Sequence, residues 1–204
     1  MHPAGLAACR PRAAVRENSM PRSFARIAFT PTVRAFQERH GVRTRAPRPD
    51  EPGDGHGASL TEAESEFIAA RDGFYQATVS ESGWPYVQFR GGPPGFLRLL
   101  DERTLAYADF RGNMQYISAG NLAGDGRVSL ILMDYANRRR LKLLGRARLV
   151  DAADDPALVA KLEDPVYRAR VERAVVIAVA AFDWNCPQHI TPRYTEAEFA
   201  ARWE

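Results

Sequence analysis

The sequence predicts a mainly β, α+β domain built on a small antiparallel β-barrel. Three observations predict it. From residue 74 onward, short runs rich in Val, Leu, Tyr and Phe recur at regular spacing. Turn-forming residues separate them in pairs, as hairpins require. Few stretches carry a helical period, and none of the apolar runs approaches the ~20 residues of a membrane helix.

The elements follow in order. "TPTVRAFQERHG" is a short helix, with Thr30 placed to cap, Pro31 in the first turn and Gly41 at the exit. Residues 42–59, rich in Pro, Gly and charge, form a linker. "TEAESEFIAARDG" opens with Thr61 and Glu64 at capping-box spacing and runs as a helix to Gly73. "FYQATVS" and "PYVQFRGG", joined through "ESGW", make a first hairpin. "GFLRLL" and "LAYADF" make a second, and "RVSLILMDY" and "RLKLLGRARLV" a third. "RGNMQYISAGNL" is helical in pattern, as are "DDPALVAKLE" and "VYRARVER". "AVVIAVAAFDW" is the last strand, and "TEAEFAARW" a terminal helix. The chain thus divides into a basic, disordered arm over 1–29, a helix and Pro/Gly-rich linker over 30–59, and the barrel domain over 60–204.

Composition narrows the function. The 204 residues suffice for one core. The net charge of +3 conceals an asymmetry: residues 1–48 carry ten arginines, no lysine and two acids, so the remainder is net −5. A sequence-specific nucleic-acid domain would place its positive charge on the folded body, so that class is set aside. The arm alone leaves non-specific binding open. The arm lacks the continuous apolar segment of a secretory signal, and Met20 is an alternative start. Cys9 and Cys186 stand at opposite ends and give neither a disulfide framework nor a metal-site spacing. A reducing cytoplasm is the expected location.

Three stretches carry candidate chemistry. In "LAYADFRGNMQYIS" a strand ends near Asp109 and a helix begins near Gly112, with Arg111, Asn113, Gln115 and Ser118 at the junction. A helix N-terminus with an arginine beside it suits a phosphate; the plainer reading has Asn113 capping and Arg111 solvated. In "PYVQFRGGPPG", Gln88 and Arg90 share one face of a strand. Gly91 and Gly92 then mark either a close approach by a ligand's ring system, or a bulge with Arg90 in an ion pair. In "DWNCPQHITPRY", an apolar strand empties into Trp184, Asn185, Cys186, Gln188 and His189 around Pro187. By residue type alone, Cys186 and His189 are packing residues and not catalytic ones.

From about Leu60 to Arg193 these stretches, with "RVSLILMDYANRRRLKLLGRARLV", resemble the pyridoxamine 5′-phosphate oxidase-related flavoproteins, the FMN-binding split-barrel group, in its uncharacterised branch. The resemblance implies a six-stranded antiparallel split barrel with short flanking helices, and a homodimer sharing its flavin sites. It implies FMN as cofactor, ahead of a deazaflavin or haem. Its phosphate-gripping strand falls on Gln88, Phe89, Arg90 and Gly91, and its second segment on Tyr107 to Gln115, including Asp109, Arg111 and Asn113. Where the oxidase has Arg-Lys, this chain has Asn113 and Met114, so Arg111 or Arg90 would take over that contact. The oxidase's Arg-Gln pair falls on Arg139 and Arg140. The family resemblance makes "DWNCPQHITPRY" the mouth of a ligand pocket, or a loop that locks a dimer with Trp184 as its anchor. At such a mouth Trp184 would border the flavin, Asn185 and Gln188 would bind substrate, and His189 would bind it and handle protons as the catalytic residue. The implied activity is FMN-dependent oxidation or reduction of an unidentified small molecule, with no metal, membrane or specific nucleic acid. The alternative is a non-catalytic flavin- or tetrapyrrole-binding dimer, a carrier or sensor.

Overall fold

The computed structural model describes residues 22–42, 59–184 and 186–203. Helices α1 (Arg22–Ala28), α2 (Pro31–Arg39) and α3 (Glu62–Ala69) precede a sheet of seven strands. The strands are β1 (Gly73–Val79), β2 (Pro85–Gly91), β3 (Arg98–Asp101), β4 (Thr104–Phe110), β5 (Arg127–Asp134), β6 (Arg139–Asp151) and β7 (Val171–Trp184). Helix α4 (Ile117–Gly124) joins β4 to β5, α5 (Pro156–Leu162) joins β6 to β7, and α6 (Glu196–Trp203) follows. None of the described helices is long and apolar enough to cross a membrane.

The sheet is antiparallel throughout, in the order β2-β1-β5-β6-β7-β4-β3. All three expected hairpins form. The strands number seven, as the run-by-run reading of the sequence has them, and not the six that the family resemblance implies: Arg98–Asp101 pairs with β4 (Leu99 opposite Leu105) as an outer strand. The ends β2 and β3 do not pair, so the barrel stays split. The sheet is nevertheless rolled. Three strands separate β1 from β4, a span of about 19 Å if flat. Yet the rings of Phe74 on β1 and Tyr107 on β4 meet edge-on at 5.3 Å, and the Tyr107 hydroxyl donates to Gln76 Oε1 at 2.6 Å.

Alternation along the strands fills the interior. On β5, Val128, Leu130 and Leu132 are buried while Arg127 and Ile131 face out. Leu105, Leu141, Leu143 and Ile177 join the same core; full burial of each such side chain stabilises by about 1.5–3 kcal/mol. Strands β6 and β7, of 13 and 14 residues, serve both halves of the roll. They bend at a register shift between Leu144 and Gly145. A Cβ on Gly145 would lie 2.7 Å from the Ala178 carbonyl oxygen, so only glycine fits that crossing.

The helix starts follow their signals. The Thr30 side chain accepts from the Val33 N–H, and Glu64 accepts from the Thr61 N–H at 2.9 Å. Other expectations are corrected. "VYRARVER" is not a helix: from Val171 it is already β7, because Arg173 pairs with both Asp109 and Asp151 and tertiary pairing overrides a short helical pattern. The helix expected from Gly112 begins at Ile117, since Met114 (φ 61°) and Tyr116 (φ 51°) are left-handed. The basic arm lies outside the described residues up to residue 21. From Arg22 it is helical, with Phe24 and Ala25 buried in contact with the sheet. Most of the linker (residues 43–58) also lies outside the described residues.

The Tyr107–Gln76 bond is the polar centre of an apolar interior. Gln76 is fully buried, and its Nε2 has no hydrogen-bond partner. Tyr107→Phe strips the amide of its remaining partner. It should lower the unfolding free energy by about 1–3 kcal/mol in urea titrations; an unchanged midpoint would show that the bond contributes nothing.

Candidate functional site

The inner faces of β2 and β4 meet the start of α4 in a cavity of about 190 Å³. Alternation on β2 sends Tyr86, Gln88 and Arg90 into it; β4 supplies Asp109, β7 supplies Glu172, and residues 112–119 close one side. The closing loop is built against preference. Met114 and Tyr116 hold left-handed backbone without being glycine, a conformation that costs on the order of 1–3 kcal/mol and persists where surroundings enforce it. The enforcing contacts are visible. The Arg111 N–H donates to the Arg170 carbonyl (2.8 Å), the Gln115 N–H to Asn113 Oδ1 (3.1 Å), and the Tyr116 hydroxyl to Glu172 (3.0 Å). Helix α4 starts from Tyr116 without a side-chain cap, so its first turn presents uncapped N–H groups beside the cavity.

The electrostatics centre on Asp109, which is 7% exposed. Arg90 Nη1 lies 2.9 Å from its carboxylate and Arg173 Nη1 3.9 Å. Burial is the main influence and pushes the Asp109 carboxyl above its ordinary range; Arg90 and Arg173 oppose the shift, and Glu172 adds to it. Glu172 itself is held by Arg111 (3.8 Å) and Arg173 (3.3 Å). Arg90 Nε is buried without a hydrogen-bond partner, so the guanidinium has a donor to spare. Burial holds the Tyr107 phenol well above its usual value. Uncapped helix N–H groups, a guanidinium with a spare donor, and the Gln88 and Ser118 pair (2.9 Å) can together receive an oxyanion.

The structure brings together Gln88, Arg90, Asp109, Asn113 and Gln115 in this cavity. Tyr107 stands behind it, with the Arg90 guanidinium 5.9 Å from its ring centre. Both plainer readings are also realised in part: Arg90 makes an ion pair, and Arg111 is exposed and paired with Glu172. Phe89 points the opposite way, 56% exposed, with its ring edge-on to Tyr75 at 5.4 Å. Gly91 lies under it: a Cβ there would meet the Phe89 ring at 2.9 Å, and one on Gly92 the Phe96 ring at 2.7 Å. The rings that approach these glycines are the chain's own.

Arg139, Arg140 and Trp184 stand apart from this cavity. Arg139 stacks on Trp184 (4.7 Å) and Phe67 (5.1 Å), and Arg140 Nε is buried without a partner. Trp184 is an anchor, donating from Nε1 to Glu64 at 2.6 Å. Burial raises the Glu64 carboxyl, but bonds from Thr61 and Trp184 outweigh it and bring the group below its ordinary value. Gln188 and His189 are exposed on the turn after β7, with His189 left-handed (φ 62°), and neither lines this cavity. Asn185 lies outside the described residues. A second cavity, about 500 Å³, opens on the other face of β2 between Tyr75, Phe89, Tyr135, Arg193 and Tyr194. Sequence reading missed Glu172 and Arg173 because it placed them on a helix. Only the β4–β7 register, Asp109 opposite Arg173, reveals them.

Comparison with known proteins agrees with this fold. The solved structures similar to this chain include HupZ of Group A Streptococcus, at 18% identity and a TM-score of 0.50, covering 66% of this chain and 99% of that one. A point variant of HupZ matches at 17% identity and a TM-score of 0.51, over 62% of this chain and 99% of the other. An FMN-binding protein from Syntrophomonas wolfei subsp. wolfei matches at 14% identity and a TM-score of 0.49, over 62% and 86%. No curated protein matches the sequence significantly. The family model for pyridoxamine 5′-phosphate oxidase matches residues 60–184, which runs from the start of α3 to the end of β7 and takes in every strand of the sheet. The chain therefore belongs to the pyridoxamine 5′-phosphate oxidase family of flavin-binding split-barrel proteins.

Proposed function

We propose that this protein is an FMN-dependent oxidoreductase acting on a small molecule, with the FMN phosphate held in the cavity between β2, β4 and α4. The observation that carries the reading is the Arg90 guanidinium, its Nε buried and unpartnered, beside the uncapped start of α4. Arg90 would provide the charge-assisted contact, and Gln88, Ser118 and the first-turn N–H groups of α4 the neutral ones. FMN, once bound, supplies hydride or electron transfer through its isoalloxazine ring. The chain's own residues bind, orient and exclude water. The absence of the Arg-Lys pair at Asn113 and Met114 leaves Arg90 as the cation of the cavity wall.

The same reading requires a second copy. A cavity of about 190 Å³ is smaller than the roughly 300–1,000 Å³ of ordinary small-molecule sites, so one protomer encloses a phosphate end and little more. The outer face of β2, β1 and β5 supplies the apolar surface for a partner: Val87 is 61% exposed, and Phe89, Tyr75 and Ile131 form one cross-strand row. His189, facing solvent beyond β7, enters the chemistry only if a second copy brings it to the flavin.

Ligand released by heat from the purified protein should have the mass of FMN. Recovery of a different cofactor, or of none after incubation with FMN, would contradict the reading. Arg90→Ala should weaken FMN binding by about 10- to 100-fold, as expected for a lost charge-assisted contact. Arg138→Ala, at an exposed turn residue (φ 54°), should leave affinity unchanged. Equal affinities in a fluorescence titration would reject the assignment. A flavin that no nicotinamide or deazaflavin reductant bleaches would make the protein a carrier and not an enzyme.

Light scattering of the FMN-loaded protein should give twice the chain mass, since two-fold dimers are the commonest soluble assembly. A monomer that retains FMN tightly would rule out the shared site.

A further inference from the structure

The cation that lines the cavity is already engaged by a carboxylate of the same wall. Of the charged side chains that line it, Arg90 is the cation and Asp109 and Glu172 are carboxylates. Arg111 and Arg173 stand behind these two carboxylates and offset their charge, so what an entering phosphate meets at the wall is set by whether Arg90 is free to face it. Arg90 is engaged by one of those carboxylates at 2.9 Å. We propose that Asp109 is the internal competitor for the anion site: it holds Arg90 when the cavity is empty and yields it, with uptake of a proton, when a phosphate enters. This rests on the phosphate reading of the cavity and adds to it a proton linkage and a residue that limits affinity.

The surroundings decide which carboxylate takes the proton. Glu172 is shared among three donors, Arg111, Arg173 and the Tyr116 hydroxyl, none of which an entering phosphate needs. It keeps its partners when the cavity fills. Asp109 is the more deeply buried. From β2 it faces Arg90 alone; from β7 it faces Arg173, at 3.9 Å, and Glu172 beside it. Arg173 is drawn away toward Asp151 of β6 (3.7 Å) and Glu172 (3.3 Å). On its own strand the neighbour is the Tyr107 phenol, which stays protonated. If Arg90 turns to a phosphate, Asp109 loses its close partner and gains an anionic neighbour. Both changes favour the neutral carboxyl, in the direction in which burial already pushes it. Binding that raises the Asp109 pKa takes up a proton, so affinity rises as pH falls through the window between its ligand-free and ligand-bound values.

The test is FMN binding to the full-length apoprotein, wild type and Asp109→Asn, by fluorescence titration between about pH 5.5 and about pH 8.5. That range spans the second ionisation of a phosphate monoester near pH 6, which affects both proteins alike and cancels in their ratio. The Asn variant should bind more tightly than wild type at the upper end, and its advantage should shrink as pH falls, by up to about tenfold per unit for a single linked proton. A ratio that does not change with pH, or an Asn variant that binds no better at high pH, would overturn the proposal while leaving the FMN site standing. Failure of both proteins to bind FMN at any pH would overturn the site itself, and the proposal with it. Should the Asn variant not fold, calorimetry of the wild type in two buffers of different ionisation enthalpy decides the matter. Measured above about pH 7, where the phosphate is already a dianion and gives up no proton of its own, uptake of a proton on FMN binding supports the linkage, and none refutes it.

Discussion

Arg90 and Asp109 meet at 2.9 Å across the mouth of the rolled sheet, and much else in the structure is arranged around that contact. Arg90 stands on β2, an edge strand; Asp109 stands on β4, next to the opposite edge. No backbone ladder joins those edges, so side chains must hold the two wings together. Phe74, Tyr107 and Gln76 do so in the interior, and the ion pair does so where the interior opens to the cavity. An ion pair this buried is weak evidence for stability, because desolvation offsets much of the attraction. It is better evidence of a place where charge is kept for use.

That place is supported from behind. Arg173 and Glu172 reach it from β7, opposite Asp109 and beside it, and Tyr116 and Arg111 tie the strained loop to Glu172. The loop in turn fixes where α4 begins, and therefore where its uncapped N–H groups lie. At the far end of β7 a separate network does a different task. Glu64 caps α3 and accepts from the Trp184 indole, Arg139 stacks on that indole, and Lys142 pairs with buried Asp183 at 2.8 Å. One end of the sheet is thereby locked while the other carries the cavity.

Most of the fold was legible in local signals. The three hairpins, the first joined through "ESGW", could be read because turn chemistry and period-two alternation are short-range properties. The Thr61/Glu64 box was legible for the same reason. Residues 166–173 were not, because the strand character that begins at Val171 comes from pairing with β4 and β6 rather than from a local pattern. The site divides in the same way. Gln88 and Arg90 share a face by alternation alone, and the junction after Asp109 announces itself by composition. That Asp109 would occupy Arg90, and that Glu172 and Arg173 would complete the cluster, depends on a strand order no local pattern encodes. The glycines after Arg90 mislead in an instructive way: their space is taken by Phe89 and Phe96.

The proposed FMN site at Arg90 requires the cavity to recognise the phosphate of FMN and not its ring. Titrating the apoprotein with FMN and with riboflavin, which differ by that phosphate, tests it most directly. FMN should bind about 10- to 100-fold more tightly, the range of one charge-assisted contact or slightly more. Equal affinities for the two flavins would contradict it, and would move the binding site away from Arg90.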